Sequence, residues 1–439
     1  MINFNNFNGK KVLVCGLAKS GIAAAMFLSA KNAKVTAQDL RTDINIPNVT
    51  LYLGKNPDDI IQNFDLVVIS PGVPFDLPFL EKARVLNIPV WGELELAYHF
   101  CAAPIIAITG TNGKTTVTTL VAEILQKYTQ KAIIAGNIGI PFVEQVDTIF
   151  ADNWVILEVS SFQLETIHKF APKISTILNI TPDHMDRHKT MEIYRRTKER
   201  IFENQTPIDF TVLPFDLFSQ TETACSKIFF STKQPLKTGV FLDGTNIIAK
   251  IPALKLDAVI ADVTKTKILP ENAVVAATLA LCANVPQDII SETLYNFKGV
   301  PHRIEFVRTV NGVDFYNDSK ATNTDAAIKG IEAMNRSTIL IGGGYDKKAD
   351  FNQWIQHFGD KIKHFIILGA TSQQLVETCQ ANNYTKYSKV ATLNEAVILA
   401  CQKAKSGDSV LLSPACASWD MFDNFEQRGN IFCELVNGL

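Results

Sequence analysis

Residues 104–116 read Pro104-Ile105-Ile106-Ala107-Ile108-Thr109-Gly110-Thr111-Asn112-Gly113-Lys114-Thr115-Thr116. The apolar run over residues 104–108 predicts a buried strand, and the residues from Lys114 to about Lys127 have a helical pattern. A glycine-rich turn between a strand and a Lys-Thr helix start is typical of a phosphate-binding loop, because glycines let backbone N–H groups converge and the helix dipole favours an anion. Ile108 stands where the usual motif has its first glycine, so an ordinary helix start with a solvated lysine stays the alternative.

This loop predicts a set of nucleotide-binding residues. Lys114 can reach the β- and γ-phosphates, and the hydroxyl of Thr115 can ligate Mg²⁺. We expect the nucleotide to be bound by Gly110, Thr111, Asn112, Gly113, Lys114, Thr115 and Thr116.

Short Val, Ile and Leu runs recur along the chain, each followed by a glycine-bearing turn and a longer helical pattern. They predict buried parallel strands in βα units. The pattern restarts near residues 92 and 299, so we expect an α/β protein of three domains, over residues 1–92, 93–298 and 299–439. The first and third are predicted to be Rossmann-like. The middle one is a P-loop domain with a mixed sheet, because residues 207–267 are rich in strands and turns.

Composition agrees with this organisation and excludes several classes. The chain has 439 residues, and a typical domain has about 150. Apolar residues make up 47% and charged residues 20%, which excludes a disordered or fibrous protein. The 42 basic and 44 acidic residues give a net charge of −2, which argues against a nucleic-acid binder.

Location can also be inferred from the residues. No apolar run approaches the ~20 residues of a membrane helix, so no membrane association is expected. The first residues do not resemble a secretory signal. The eight cysteines are scattered and form no C-x-x-C pair, which favours a reducing cytoplasm.

A second glycine-bearing turn, Gly16-Leu17-Ala18-Lys19-Ser20-Gly21, follows a predicted strand, and Asp39 comes about twenty residues later. This arrangement is typical of dinucleotide-binding folds, although Ala18 replaces the middle glycine. Three interpretations stay open: a dinucleotide oxidoreductase, a tight turn without a ligand, and a nucleotide diphosphate at the helix N-terminus.

Polar side chains follow two further strands of the middle block. Glu158 ends the apolar run of residues 154–157, a position well placed for a metal ligand. His184 and Lys198 are less distinctive, because base rates favour a solvated loop histidine and a surface helix lysine.

The third block has three strand-then-polar-loop segments, which together favour a ligand site. One of them, residues 316–323, has an alternative interpretation as a helix start with Asp318 or Ser319 as the N-cap. The segments are Tyr316-Asn317-Asp318-Ser319-Lys320-Ala321-Thr322-Asn323, Gly342-Gly343-Gly344 with Lys347, and Ser413-Pro414-Ala415-Cys416-Ala417-Ser418-Trp419-Asp420.

Taken together, several motifs resemble the ATP-dependent Mur ligases. They are residues 109–116, Gly136-Asn137-Ile138-Gly139, Glu158-Val159-Ser160-Ser161-Phe162-Gln163-Leu164 and Asp183-His184-Met185-Asp186-Arg187. Within the family, residues 317–323, 412–418 and 424–430 are similar to the branch that adds D-glutamate to UDP-N-acetylmuramoyl-L-alanine. The resemblance implies a cytoplasmic step of peptidoglycan synthesis. ATP phosphorylates the substrate carboxylate, and the amine of D-glutamate then attacks the acyl phosphate.

The resemblance also implies roles for individual residues. Lys114, Glu158, His184 and Lys198 are implied to be catalytic. Two Mg²⁺ sites are implied on Thr115, Glu158, His184 and Lys198, with Lys198 as N-carboxylysine. Further ATP contacts are implied for Asn272, His302, Arg303 and Asp318. The UDP substrate is implied to contact Lys19, Ser20, Asp39, Arg41 and Asn137. D-glutamate is implied to contact Lys320, Thr322, Lys347, Ser418 and Phe425.

The chain departs from the family pattern at residues 271–275 and at Leu40, and Thr197 replaces a common alanine before Lys198. Residues 271–275 read Glu271-Asn272-Ala273-Val274-Val275 where the family usually has His-Asn and a second Asn, so Asn272 alone is expected to keep the ATP contact. Leu40 stands where a small polar residue is usual. The resemblance favours a monomer.

Two other functions are kept as alternatives. One is another Mur-type or folylpolyglutamate-type ligase, against which the 318–323 and 413–418 loops argue. The other is a P-loop regulator without ligase activity, which would need neither Glu158, His184 and Lys198 together nor three amino-acid loops.

Overall fold

The computed structural model describes residues 6–345 and 349–439. The chain divides into two compact units. One runs to Ile180 and from Thr190 to Lys298, and the other comprises Thr181–Lys189 and the chain from Gly299 onward.

The first sheet is parallel throughout, with the order β3-β2-β1-β4-β5. Its strands are β1 Lys11–Cys15, β2 Lys34–Asp39, β3 Thr50–Leu53, β4 Leu66–Ile69 and β5 Val90–Gly92. Its helices are α1 Lys19–Ala30, α2 Pro78–Val85 and α3 Glu93–Tyr98. The chain order reverses between β1 and β4, so the loop after β1 lies at the kind of switch point where α/β sheets bind ligands.

The second sheet is mixed, with the order β14-β13-β12-β11-β10-β9-β6-β8-β7. Its strands are β6 Ile105–Thr109, β7 Ala132–Gly136, β8 Trp154–Glu158, β9 Ile174–Ile177, β10 Phe210–Pro214, β11 Ser226–Ser231, β12 Gly239–Asp243, β13 Asn246–Ile251 and β14 Leu256–Asp262. The helices of this stretch are α4 Lys114–Thr129, α5 Phe142–Gln145, α6 Ser161–Leu164, α7 Met185–His188, α8 Met191–Glu199, α9 Phe215–Phe218, α10 Pro270–Cys282 and α11 Gln287–Asn296, and α7 belongs to the second unit.

Strand β6 lies inside this sheet, and every one of its residues is buried. It pairs with β8 on one side and β9 on the other, both parallel, so the carboxyl ends of the three strands meet at one edge. The last two strands, β13 and β14, pair antiparallel. The mixed character predicted for the middle sheet is thus observed.

The third sheet has the order β15-β16-β20-β17-β18-β19 and is parallel except for the β15–β16 pair. Its strands are β15 Glu305–Val310, β16 Val313–Asn317, β17 Thr338–Gly342, β18 Ile362–Ile367, β19 Tyr387–Lys389 and β20 Ser409–Leu412. Its helices are α12 Thr324–Ala333, α13 Asn352–Gln356, α14 Ser372–Ala381, α15 Leu393–Lys403 and α16 Phe425–Asn437.

One helix start differs from the alternative left open by the sequence. Helix α12 begins at Thr324, and its N-cap is Asn323, whose side chain accepts a hydrogen bond from the N–H of Ala326. The N-cap interpretation of Asp318 and Ser319 is therefore wrong. Both residues precede the helix and are buried.

Candidate active site

The turn after β6 has the backbone of a phosphate-binding loop. Gly110 has φ +150° and Gly113 has φ +87°, conformations that glycine adopts without steric cost. A Cβ atom on Gly110 would lie 2.9 Å from Cβ of Leu178, and one on Gly113 would lie 2.7 Å from Oδ1 of Asn272. Both glycines are thus required by close packing as well as by φ. Asn272, the ATP contact expected on α10, lies against this loop.

The ammonium of Lys114 is held over the same loop. Its Nζ donates to the carbonyl of Gly110 at 2.9 Å and to that of Thr111 at 2.8 Å. The loop is further tied to the end of β9, because Asn179 Oδ1 accepts the N–H of Asn112 at 2.9 Å and its Nδ2 donates to Asn112 O at 3.0 Å. Asn179 was not singled out from the sequence, since only the β6–β9 pairing reveals its position.

Glu158, at the end of β8, connects two other predicted site residues. Its Oε2 accepts a hydrogen bond of 2.7 Å from the hydroxyl of Thr115, and its Oε1 accepts one of 2.8 Å from Nδ2 of Asn137. The carboxylate is only 2% exposed. A buried carboxylate beside a hydroxyl is the oxygen-rich donor set that Mg²⁺ prefers, so Thr115 and Glu158 fit the implied metal.

Lys198, on α8, is buried rather than solvated, with 1% of its surface exposed. Its Nζ donates to the carbonyl of Gly110 at 3.0 Å and to the hydroxyl of Thr109 at 3.4 Å, and it lies 4.6 Å from the ring centroid of Tyr194. The base-rate interpretation as a surface lysine is therefore wrong. Its N-carboxylation stays a prediction.

Within residues 6–345 and 349–439, no three His, Cys, Asp or Glu side chains form a group that could hold a metal ion. The predicted set of Thr115, Glu158, His184 and Lys198 contains only two residues of those types.

The glycine-bearing turn after β1 is held by the carboxylate of Asp39, the last residue of β2. Asp39 Oδ2 accepts the N–H of Leu17 at 2.6 Å, and Oδ1 accepts the N–H of Arg41 at 2.9 Å. The Arg41 guanidinium beside it, together with the backbone N–H groups, lowers the pKa of Asp39 to about 2. Lys19 Nζ donates to the carbonyl of Gly139 at 2.5 Å, and Ser20 is half-buried in the first turn of α1. Lys19, at the start of α1, thus contacts the Gly136–Gly139 motif at the end of β7 in the second sheet.

In the second unit, His184 lies on the short segment before α7. It has φ +55°, and its N–H donates to Asp183 Oδ1 at 2.9 Å. Asp183 Oδ2 accepts a 3.1 Å hydrogen bond from Nδ2 of Asn323, the N-cap of α12. Residues 181–185 line a cavity of about 430 Å³ together with Thr322, Asn323, Tyr345 and Cys416.

The carboxyl ends of the third sheet gather several predicted residues around Asp318, which is 1% exposed. Ser413 Oγ donates to Asp318 Oδ2 at 2.7 Å, and the N–H of Ile304 donates to Oδ1 at 3.2 Å. Burial raises the pKa of Asp318 to about 6. Arg303, predicted to contact ATP, is half-buried and opposes that rise through its charge.

Three predicted ligand contacts, His302, Lys320 and Phe425, lie together at the start of α16. The Phe425 ring lies 6.2 Å from that of His302, and Lys320 Nζ lies 4.3 Å from the Phe425 centroid. Ser418 is buried in the loop after β20. Lys347 lies outside the described residues.

Arg428, on α16, is an organising residue that sequence reasoning missed. It is 3% exposed, and its guanidinium donates to the hydroxyl of Ser319 at 2.9 Å, to Ser319 O at 2.7 Å and to Cys416 O at 3.1 Å. It therefore joins two of the predicted ligand loops. Its only sequence signal was its place among residues 424–430.

Comparison with known proteins agrees with this architecture. Residues 10–92 match the Mur ligase MurD-like N-terminal domain, residues 108–261 the Mur ligase middle domain, and residues 302–416 the Mur ligase glutamate ligase domain. The chain belongs to the Mur ligase family. It is an ATP-dependent ligase of peptidoglycan synthesis, and its predicted class of three α/β domains is confirmed.

Relatives point to one branch of the family. Proteins named UDP-N-acetylmuramoylalanine–D-glutamate ligase are similar over their full length. The one from Alkaliphilus metalliredigens is 42% identical, with 98% of each chain covered. The one from Lachnospira eligens is 44% identical, with 99% of this chain and 100% of the relative covered. The one from a Thermoanaerobacter species is 44% identical, with 98% of each chain covered.

Solved structures share the fold at much lower identity. The UDP-N-acetylmuramate-alanine ligase of Thermotoga maritima has a TM-score of 0.60 and 16% identity, covering 98% of this chain and 99% of that one. The MurF ligase of Thermotoga maritima in complex with ADP has a TM-score of 0.60 and 14% identity, covering 100% and 97%. These similarities show the fold. None of the helices in the described ranges combines the length and apolar character that crossing a bilayer requires.

Proposed function

We propose that this ligase joins D-glutamate to UDP-N-acetylmuramoyl-L-alanine through an acyl phosphate. The γ-phosphoryl group of ATP moves to the alanine carboxylate and ADP leaves. The amine of D-glutamate then attacks the acyl carbon, loses a proton, and inorganic phosphate leaves as the amide bond forms. The names of the relatives support the choice of amino acid and acceptor.

One observation carries the phosphoryl-transfer half of this proposal. Glu158 hydrogen-bonds both to Thr115 of the phosphate-binding loop and to Asn137, a residue we assign to the acceptor substrate. Phosphoryl transfer requires charged groups to be positioned between the nucleotide and the acceptor, and this carboxylate contacts a residue assigned to each of them. The Nζ of Lys114 lies 2.8 to 2.9 Å from two carbonyls of the loop, which keeps its charge where we expect the β- and γ-phosphates to bind.

The proposed metal and nucleotide contacts follow from the same loop. Bound Mg²⁺ supplies charge neutralisation for the transferred phosphoryl group. Thr115 and Glu158 offer it oxygen ligands, and we assign His184 and N-carboxylated Lys198 to a second Mg²⁺. The remaining ATP contacts are assigned to Gly110, Thr111, Asn112, Gly113, Thr116, Asn272, His302, Arg303 and Asp318.

The proposed substrate contacts use two other sheet edges. Lys19, Ser20, Asp39 and Arg41 are assigned to the UDP group, at the switch point of the first sheet. Lys320, Thr322, Lys347, Ser418 and Phe425 are assigned to D-glutamate, whose two carboxylates favour lysine partners.

We further propose a cytoplasmic monomer that binds neither nucleic acid nor a membrane, with domain boundaries at residues 92/93 and 298/299. The substrates are small and anionic. Locally placed Lys and Arg side chains therefore suffice to bind them in a chain whose net charge is −2.

The test is phosphate release from ATP in the presence of UDP-N-acetylmuramoyl-L-alanine, with the amino acid varied. D-glutamate is expected to stimulate release, whereas L-glutamate, meso-diaminopimelate and L-lysine are not. Stimulation by another amino acid would favour a different Mur-type ligase. Absence of stimulation by any of them would favour a nucleotide-binding regulator.

A further inference from the structure

Helix α3, which directly follows the last strand of the first sheet, has two buried carboxylates that accept hydrogen bonds from backbone segments around the second sheet. Glu95 is 0% exposed, and its two oxygens accept hydrogen bonds of 2.8 to 3.1 Å from the N–H groups of His168, Lys169 and Phe170. Glu93 is 2% exposed and is held differently. Its Oε1 accepts a hydrogen bond of 2.6 Å from the N–H of Val143. In the described part of the chain, nothing hydrogen-bonds to its buried Oε2.

The hydrogen bond from Val143 satisfies a helix end that has no cap of its own. Val143 lies in the first turn of α5, whose N-cap is Pro141, a residue without a capping side chain. Since the first N–H groups of a helix lack intrahelical acceptors, they need an external partner. Glu93, on α3, provides that partner.

Residues 137–143 are anchored at both ends and in the middle. At one end, Asn137 N donates to Glu158 O at 2.8 Å, and Asn137 Nδ2 donates to Glu158 Oε1. In the middle, Lys19 donates to Gly139 O. Glu93 holds the other end, at Val143. The segment therefore connects the first domain to the carboxylate that touches the phosphate-binding loop.

We propose that Glu93 is a positioning residue of the ligase reaction, which holds residues 137–143 so that Asn137 stays in contact with Glu158. The inference rests on the proposed function of Asn137 and Glu158. Glu93 touches no reacting atom and acts only through this segment. Its carboxyl lies in the protein interior, where an oxygen without a hydrogen bond is costly, and the N–H of Val143 offsets part of that cost at Oε1.

The test uses three variants at one position. Glu93→Met fills the same space without an acceptor, Glu93→Ala removes the side chain, and Glu93→Gln keeps an oxygen for the Val143 N–H. We expect kcat to fall about tenfold in the Met and Ala variants, because small displacements of positioning groups are costly. The KM for D-glutamate is expected to stay within about twofold. Glu93→Gln is expected to keep at least about half of the wild-type kcat.

A double-mutant cycle with Asn137→Ala identifies the route. If Glu93 acts through Asn137, Glu93→Met is expected to lower kcat by less than about twofold in the Asn137→Ala background. Glu144→Gln, an exposed change on α5, is the matched control and is expected to behave as wild type. Wild-type kcat in Glu93→Met, equal impairment of Glu93→Gln, or fully additive effects in the cycle would each overturn the inference.

Amide hydrogen exchange separates this inference from the proposed function. In Glu93→Met, the amide of Val143 and those of residues 137–142 are expected to exchange at least about tenfold faster than in wild type. Unchanged exchange there would refute the positioning role even in an active ligase. An inactive wild type with faster exchange in the variant would refute the D-glutamate reaction and leave the anchoring role standing.

Discussion

The hydroxyl of Thr115 donates a 2.7 Å hydrogen bond to Oε2 of Glu158, across two neighbouring parallel strands. Thr115 is in the first turn of α4, and Glu158 is the last residue of β8. Because parallel strands end at one edge, residues 43 positions apart in the sequence become direct neighbours. This pair joins the predicted phosphate-binding loop to Glu158, whose other carboxylate oxygen accepts a hydrogen bond from Asn137.

Glu158→Gln is expected to lower kcat by about a hundredfold or more while the melting temperature stays nearly unchanged. Glutamine keeps an acceptor for Thr115 but removes the negative charge that a cation needs, and such electrostatic groups are worth factors of this size. Phosphate release under saturating substrates measures the change. Glu222→Gln, an exposed substitution, is the control, and comparable turnover in the two variants would remove Glu158 from the reaction.

Lys198→Ala is expected to abolish activity, and a short carboxylate such as acetate, or bicarbonate, is expected to restore part of it. Lys198 is buried beside Gly110, so we expect an added carboxylate to occupy the space of the lost side chain and to supply the oxygen ligands that the predicted carbamate would provide. Turnover is measured with and without the additive, and Lys127→Ala on the exposed face of α4 is the control. Unchanged turnover in Lys198→Ala would exclude the residue from the site.

Arg428→Lys is expected to destabilise the protein by about 2 kcal/mol and to raise the KM for D-glutamate. Lysine cannot reproduce the forked hydrogen bonds that the guanidinium makes to Ser319 and Cys416, and charged hydrogen bonds lost in a buried site are costly. Thermal unfolding and steady-state kinetics measure the two effects. Arg196→Lys, on the surface of α8, is expected to change neither, and an unaltered KM in Arg428→Lys would separate it from amino-acid binding.

The free energy of unfolding of the wild type, compared with that of Glu93→Gln, is expected to fall as the pH rises from about 4.5 to about 8. Burial raises the pKa of Glu93 from 4.5 to about 7, so in this range the folded protein keeps a proton that the unfolded chain has lost. The stabilisation is therefore complete below the unfolded pKa and is lost as the pH passes the folded one, a change of up to about 3 kcal/mol. Melting temperatures of both proteins across this range measure it, and a pH-independent difference would contradict a raised pKa.

Local motifs were predicted from the sequence because neighbouring residues encode them. The strand, glycine turn and helix over residues 104–129 follow from periodicity and glycine placement, and β6 and α4 have those positions. The stretch over residues 207–267, predicted to be rich in strands and turns, contains the antiparallel pair of β12 and β13. The N-cap of α12 was missed because Asp318, Ser319 and Asn323 are all good capping residues. Only the backbone after β16 decides among them.

The sequence by itself determined the succession of βα units, the phosphate-binding turn and the family, since these depend on periodicity and on contiguous motifs. Four features were decided only by the tertiary structure. Lys198 is buried, and Asn179 hydrogen-bonds to the predicted nucleotide loop. Glu93 accepts a hydrogen bond from Val143, and Arg428 donates to two of the predicted ligand loops. Each of these contacts depends on which strand ends and helices become neighbours in the folded sheets. Strand order is set by packing over the whole chain, so no local pattern of residues reveals it.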